Sequence, residues 1–139
     1  MFPKFYIGSM SKNVVDAVIE FVECKPGSFG FISSRRQIEY DGGYVNNWTT
    51  ENFSTYVDGR VLTERDHGGC DQGYQQDDGI KSFDCDSKFL DVVHIDPWKK
   101  HQEYQAGLNK TVQYIKRIYE QNPAILFEVG TEEAIRKFT

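Results

Sequence analysis

The stretch Arg60–Gly69, RVLTERDHGG, decides the fold because it joins a short apolar run to a charged end. We predict a strand over 60–66, beginning with Val61 and Leu62. The strand ends in Asp66 and His67, which are followed by two glycines and then by a long acidic stretch. On spacing alone, these residues are either an ordinary turn or a functional site at the end of a strand.

Three further apolar runs predict strands over 28–34, 89–96 and 124–129. Helical periodicity separates the runs and predicts helices through 14–22 with Ser11 as N-cap, over 49–59 with a threonine cap, over 101–120, and over 131–138. Residues 70–88 have little periodicity, so we expect mostly loop there, with 71–87 as a mobile rim. The alternation predicts an α/β fold with a parallel sheet. The expected buried stripe of helix 101–120 is Tyr104, Leu108, Thr111 or Val112, Ile115 and Tyr119.

Polar or charged residues follow every predicted strand. Ligands of parallel α/β proteins bind at this carboxyl edge, because the loops there converge. The concentration of polar residues at one edge therefore indicates a site better than any single residue does. The strand-end residues are Ser33–Gln37, Arg65–His67, His94 with Asp96, and Glu128.

His94 and Asp96 are two residues apart, so in a strand they share a face. If His67 and His94 lie on neighbouring strands, Glu128 completes a His/His/carboxylate set for a divalent metal. The alternative is a buried histidine that hydrogen-bonds to a backbone carbonyl. Spacing alone favours that alternative.

Three other features suggest ligand contacts. Arg35 and Arg36, next to Gln37, suit a phosphate or carboxylate, although a solvated loop with an Arg–Glu pair explains them equally well. Gly68 and Gly69 allow a ligand to approach the backbone closely. Lys99 is either a reactive lysine or an exposed one.

Composition limits the class of protein. The 139 residues carry a net charge of −5 and fit one domain over 1–139. Mild acidity argues against a nucleic-acid partner, and there is no apolar run of the roughly 18 residues that span a bilayer. The three cysteines show no CxxC spacing. We therefore expect reduced thiols in a cytoplasmic protein.

The order of these motifs resembles the strand ends of an aldolase-type (β/α)₈ barrel. The resemblance is to the metal-dependent sugar-bisphosphate aldolases, and within them to the non-catalytic subunits of tagatose-bisphosphate aldolase. Cys70 departs from the pattern, since that family has proline there. The matching positions are Gln37, Gly42–Tyr44, Thr49 or Thr50 with Phe53, Asp66–Gly69, His94–Asp96 and Gly130–Glu132.

The resemblance implies roles for individual residues. Asp66 would be the acid–base group, and Asp96 beside it would be a second catalytic carboxylate. His67 and His94 would hold a divalent metal, and zinc is the metal we expect. Glu128 would line the pocket. The other substrate contacts would come from the candidates named above, which are Arg35, Arg36, Gln37, Gly68, Gly69 and Lys99. The implied function is aldol cleavage or condensation of a phosphorylated ketose. A non-catalytic, sugar-phosphate-binding subunit and another barrel enzyme, a sugar-phosphate isomerase or keto-acid synthase, are the alternatives.

Length implies an incomplete barrel. A (β/α)₈ barrel has eight strands and about 250 residues, whereas the sequence predicts four strands. We therefore expect the N-terminal portion of a TIM-type barrel, with about four β/α units. Such a partial barrel exposes sheet edges and pairs with a second copy or with a partner subunit.

Overall fold

Five parallel strands form one sheet in the order β1-β2-β3-β4-β5 in the computed structural model, which describes residues 2–130. A helix follows each of the first four strands, as expected for successive β/α units. The elements are β1 (Phe5–Gly8), α1 (Lys12–Cys24), β2 (Phe29–Ser34), α2 (Thr50–Val57), β3 (Thr63–Gly68), α3 (Ile80–Phe89), β4 (Val92–Ile95), α4 (Tyr104–Gln121) and β5 (Leu126–Val129).

The helices cover one face of the sheet. Ser11 caps α1 by accepting from the Val14 amide, and Thr49 caps α2 by accepting from the Asn52 amide, as the sequence predicts. Two apolar clusters fill the space between sheet and helices. The first includes Val15, Val18, Ile19, Phe31, Phe53 and Val57, and the second includes Phe83, Val93, Ile95, Tyr114 and Ile118.

The opposite, inner face of the sheet is open. An open cavity of about 480 Å³ lies against this face. The register aligns Ile32, Glu64, Val92 and Leu126 across four strands, so one row carries a carboxyl group among apolar side chains. This row and Tyr6 line the cavity, with Glu128 at its rim.

Two elements differ from the prediction. Strand β1 was not anticipated, because it is a four-residue edge strand with an exposed Phe5. Helix α3 occupies half of the segment predicted as loop. Its buried residues include Ser82, Asp86 and Ser87, so apolar periodicity could not reveal it.

The predicted buried stripe of α4 is largely wrong. Tyr104, Leu108, Val112 and Tyr119 are all exposed. The buried residues are Gly107, Thr111, Tyr114 and Ile118. The Trp98 ring packs on Gly107, where a Cβ atom would lie 2.1 Å from it, so the helix turns its small residue toward the sheet. The predicted helix over 131–138 lies outside the described residues.

All three cysteines are free, as predicted. Between residues 2 and 130, no helix is both long and apolar enough to cross a membrane.

Candidate metal centre

A β-bulge in β3 places Asp66 and His67 side by side. Arg65 pairs with Val93 and Gly68 pairs with Ile95, so two residues of β3 lie opposite His94 alone. His67 absorbs the extra residue with a left-handed φ of 45°. In a regular strand, consecutive side chains point to opposite faces. The bulge instead brings Asp66, His67 and His94 together.

Asp96 orients the His67 ring. Its Oδ2 lies 2.7 Å from Nδ1 of His67, and its Oδ1 accepts from the Trp98 amide at 3.1 Å. A carboxylate can only accept, so this bond puts the imidazole proton on Nδ1. Nε2 of His67 then faces Asp66, 3.6 Å from Oδ1. A carboxylate on one ring nitrogen of a histidine is the usual support for a metal bound to the other.

One ring nitrogen of His94 is buried without a hydrogen-bond partner among the described residues. Its ring stacks near that of His67, with centroids 4.6 Å apart, and Nδ1 accepts from the His67 amide at 3.3 Å. Nε2 is buried, and it has no hydrogen-bond partner within residues 2–130. Leaving a buried polar atom unpaired costs about 1–3 kcal/mol. The alternative interpretation, a histidine bonded to a backbone carbonyl, does not describe His94.

The donor set fits a divalent metal. Asp66, His67 and His94 each offer a ligand atom, and these three atoms lie within 4.8 Å of one another. Two imidazole nitrogens with a carboxylate oxygen match the ligand chemistry of zinc. Glu128 lies at the edge of this group, with Oε2 3.9 Å from Nδ1 of His94.

Glu64 belongs to the same inner face and was missed by the sequence reasoning. It is 5% exposed. Burial raises the pKa of its carboxyl group to about 8, and a hydrogen bond with Glu128 and the charges of Glu128 and Asp66 add to the shift. A signal existed, because Glu64 is two residues before Asp66 and so shares its face.

Arg35 lies in a buried network rather than facing a ligand. Its guanidinium bonds to Glu39, to both carboxylate oxygens of Asp77 and to the Gly69 carbonyl oxygen. The Arg–Glu pair of the alternative interpretation exists, but it is buried and not solvated. Arg36 is exposed, with its guanidinium 5.7 Å from the centre of the Tyr74 ring.

Gln37 and Lys99 serve local contacts. The Gln37 side chain accepts from the Ser34 amide at 2.8 Å, and Lys99 lies half-buried in the turn after β4. The two glycines fit tightly instead. A Cβ at Gly68 would lie 2.7 Å from the His94 carbonyl oxygen, and one at Gly69 would lie 2.7 Å from that of Asp96. Both glycines therefore allow β3 to approach the end of β4.

The acidic segment, which we expected to be a mobile rim over 71–87, includes helix α3 and a hydrogen-bonded loop. Asp71 and Asp77 bond reciprocally, the Asp77 amide donating to Asp71 at 2.8 Å and the Asp71 amide donating to Asp77 at 3.3 Å. Arg35 holds Asp77 from the other side. Carboxylates that accept from nearby amides and a buried guanidinium fold the loop onto the protein.

A larger protein of known structure contains the same arrangement of strands and helices. The crystal structure of a probable tagatose 6 phosphate kinase from Sinorhizobium meliloti 1021 superposes on this chain with a TM-score of 0.75. The match covers 92% of this chain and 38% of that chain, with 16% sequence identity. No protein-family model matches the sequence, and no curated protein sequence matches it.

The two chains share a fold. At this identity the likeness concerns architecture alone. The described residues have the α/β fold of part of a larger TIM-barrel-like chain, which confirms the predicted fold class. The chain spans 38% of the length of the structure that it matches.

Proposed function

We propose that this chain forms the metal-binding part of a barrel that catalyses aldol cleavage or condensation of a phosphorylated ketose. The observation that carries the proposal is that Asp66, His67 and His94 each offer a ligand atom and that these atoms lie within 4.8 Å of one another. The phosphorylated ketose is part of the proposal, and the Sinorhizobium protein that shares the fold is named for a sugar phosphate.

Each residue has a distinct role in this proposal. His67 and His94 hold the metal, and Asp96 keeps the His67 ring in the Nδ1-protonated form. Asp66 is the acid–base group, because its carboxylate is half-buried beside the imidazoles and on the open inner face. A divalent metal bound there would polarise the ketose carbonyl and stabilise the negative charge that develops on its oxygen.

In this proposal Glu64 and Glu128 take part in proton transfer together with Asp66. Glu64 keeps its proton at neutral pH, because its pKa is raised to about 8 by burial and by its Glu128 neighbour. Glu128 is half-exposed and close to His94. The pair therefore links the buried end of the inner face to the solvent side of the metal group.

The non-catalytic subunit is a second candidate, and the open inner face favours it. Among the described residues the sheet has two unpaired edges, and the matched structure is more than twice as long as this chain. A barrel of this type needs further strands to enclose a substrate. In this candidate the chain stabilises an assembly with a second copy or a partner subunit, or binds a sugar phosphate there, without catalysing a reaction itself.

Zinc titration of the full chain tests the metal group. We expect one zinc ion per chain, and we expect His67→Ala and His94→Ala to weaken binding at least about tenfold, because each removes one of the proposed metal ligands. His101→Ala is the matched control, since His101 is the half-buried histidine outside the group. Equal zinc affinity in His67→Ala and the wild type would remove the assignment.

Retro-aldol turnover of ketose bisphosphates then separates the two candidates. We expect a catalytic chain to release triose phosphate with zinc and to lose this activity in Asp66→Asn. A chain that binds zinc without turnover, and gains thermal stability on mixing with a partner subunit, supports the accessory role. Turnover that survives in Asp66→Asn contradicts the acid–base role.

A further inference from the structure

Arg35 connects three parts of the protein from a buried position. Its side chain is 2% exposed. Nη1 donates to the Gly69 carbonyl oxygen at 2.6 Å and to Asp77 Oδ1 at 2.9 Å, while Nη2 donates to Asp77 Oδ2 at 2.5 Å. Nε donates to Glu39. A forked pair of this kind fixes direction as well as distance, because the guanidinium is planar and rigid.

Asp77 passes this constraint to the loop between β3 and α3. Its carboxylate accepts from the Gly79 amide at 3.1 Å and from the Asp71 amide, and its own amide donates to Asp71. Residues 69–79 therefore form a loop that closes on Arg35. The contacts with Arg35 lower the pKa of the Asp77 carboxyl group, so it stays charged at neutral pH.

The closed loop contacts Asp96, the residue that orients His67. Gly69 lies so close to Asp96 that a Cβ atom would be 2.7 Å from the Asp96 carbonyl oxygen. The Gln72 side chain donates to the same carbonyl oxygen at 3.4 Å. The Asp96 carboxylate in turn holds Nδ1 of His67. A continuous series of contacts thus runs from Arg35 through Gly69 and Asp96 to the imidazole.

We propose that Arg35 is a positioning residue, which closes the loop 69–79 against Asp96 and thereby fixes the orientation of the His67 imidazole. The inference rests on the proposed function only in that His67 is one of the proposed metal ligands. It replaces the prediction that Arg35 binds a substrate anion. An anion at Arg35 would have to displace Asp77 from a buried forked pair.

Two variants test this inference. Arg35→Lys keeps the charge and loses the fork, and Asp77→Asn keeps the shape and loses the charge at a site that is 28% exposed. Arg117→Lys is the matched control, because Arg117 makes the same kind of fork with Asp84, at 2.7 Å and 2.7 Å, on the outside of the protein. Asp96→Asn changes the residue that bonds to His67 directly, so it should have the largest effect on the His67 imidazole.

The first readout is the ¹⁵N spectrum of the imidazoles in metal-free protein. We expect the wild type and Arg117→Lys to hold the His67 proton on Nδ1. In Arg35→Lys and Asp77→Asn a second population with the proton on Nε2 should appear, as in Asp96→Asn. A purely structural role for Arg35 would lower thermal stability without changing this tautomer.

The second readout is zinc affinity, which we expect to fall about tenfold in both variants and to stay unchanged in Arg117→Lys. If His67 keeps its tautomer in a folded Asp77→Asn protein, the inference is wrong. If the tautomer shifts but the wild type binds no zinc, the inference stands and the proposed function fails. If Arg35→Lys does not fold, Asp77→Asn decides the outcome.

Discussion

Glu64 is a carboxyl group whose ionisation is changed strongly by the fold. Its pKa rises from 4.5 to about 8, first because burial disfavours the charged form, and then because Glu128 and Asp66 repel it. The folded protein therefore holds a proton that the unfolded chain loses above pH 4.5. Glu64 stabilises the fold fully at acid pH, and this contribution disappears as the pH rises toward 8.

We therefore predict that the free energy of unfolding falls between pH 5 and pH 8.5, and that Glu64→Gln makes it less dependent on pH over this range. A neutral side chain of the same shape needs no proton to stay buried. Urea unfolding at a series of pH values measures this directly. Glu51→Gln, at an exposed position in α2, is the control and should leave the slope unchanged. The same slope in Glu64→Gln as in the wild type would contradict the prediction.

At this scale, sequence patterns located most of the candidate site but not its geometry. Asp66, His67, His94 and Asp96 were visible as polar strand ends, and the structure brings them together. The bulge was not visible, because an extra residue in β3 is defined only by its pairing with β4. The contact between Arg35 and Asp77 was not visible for a similar reason, since the two residues lie 42 positions apart in the chain.

Helix α3 shows how a polar face can be a buried face. Arg65 is fully buried, and all five of its N–H donors are used. They bond to both oxygens of Asp86 in α3, to the carbonyl oxygens of Ser33 and Ile38, and to the Thr50 hydroxyl. The helix docks through this ion pair as well as through Phe83. Apolar periodicity therefore predicted a loop where the structure has three turns of helix.

This arrangement predicts a large loss of stability when one partner is removed. Arg65→Met leaves the Asp86 carboxylate buried without a cation, which typically costs about 3–5 kcal/mol. Urea denaturation measures the change in the free energy of unfolding. Arg117→Met, which breaks an exposed forked pair with Asp84, should lower the free energy of unfolding far less.

The double variant Arg65→Met/Asp86→Leu identifies the cause. We expect it to recover much of the stability lost in Arg65→Met, because no charge remains buried alone. If the double variant is as unstable as the single one, packing and not the unpaired carboxylate accounts for the loss.

Within residues 2–130, both edges of the sheet are unpaired and carry exposed apolar side chains. Phe5 in β1 is 65% exposed, and Val129 in β5 is 56% exposed. Leu108 and Val112 form an exposed apolar strip along α4, the helix next to the β5 edge. Open edges of this kind pair readily with other strands.

We predict that the chain associates in solution with a mass above 16.1 kDa, and that Phe5→Lys or Val129→Lys lowers that mass. A lysine on an edge strand disfavours pairing, because the charge must stay hydrated. Sedimentation velocity over a range of concentrations gives the mass. Lys4→Glu, beside the same edge, controls for a simple change of charge. A protein that stays at 16.1 kDa at every concentration would contradict the prediction.

The overall architecture was predictable because it depends on alternation. Within residues 2–130, four of the five strands and three of the four helices have the apolar patterns of β/α units, and the Ser11 and Thr49 caps mark helix starts. The face of α4 was not predictable, because Gly107 has no side chain to show that Trp98 packs on it. The missed elements, β1 and α3, are respectively an exposed edge strand and a helix docked partly through polar side chains.

The bulge at His67 shapes the candidate site, but the pairing of β3 with β4 does not depend on it. Between the paired positions, β3 has one residue more than β4, because Arg65 to Gly68 spans one position more than Val93 to Ile95. Deleting His67 would restore ordinary alternation, so the strand could still pair with β4 while Asp66 lost one of its two imidazole neighbours. A proposed ligand of the metal group is thus a residue that the pairing of the sheet does not require.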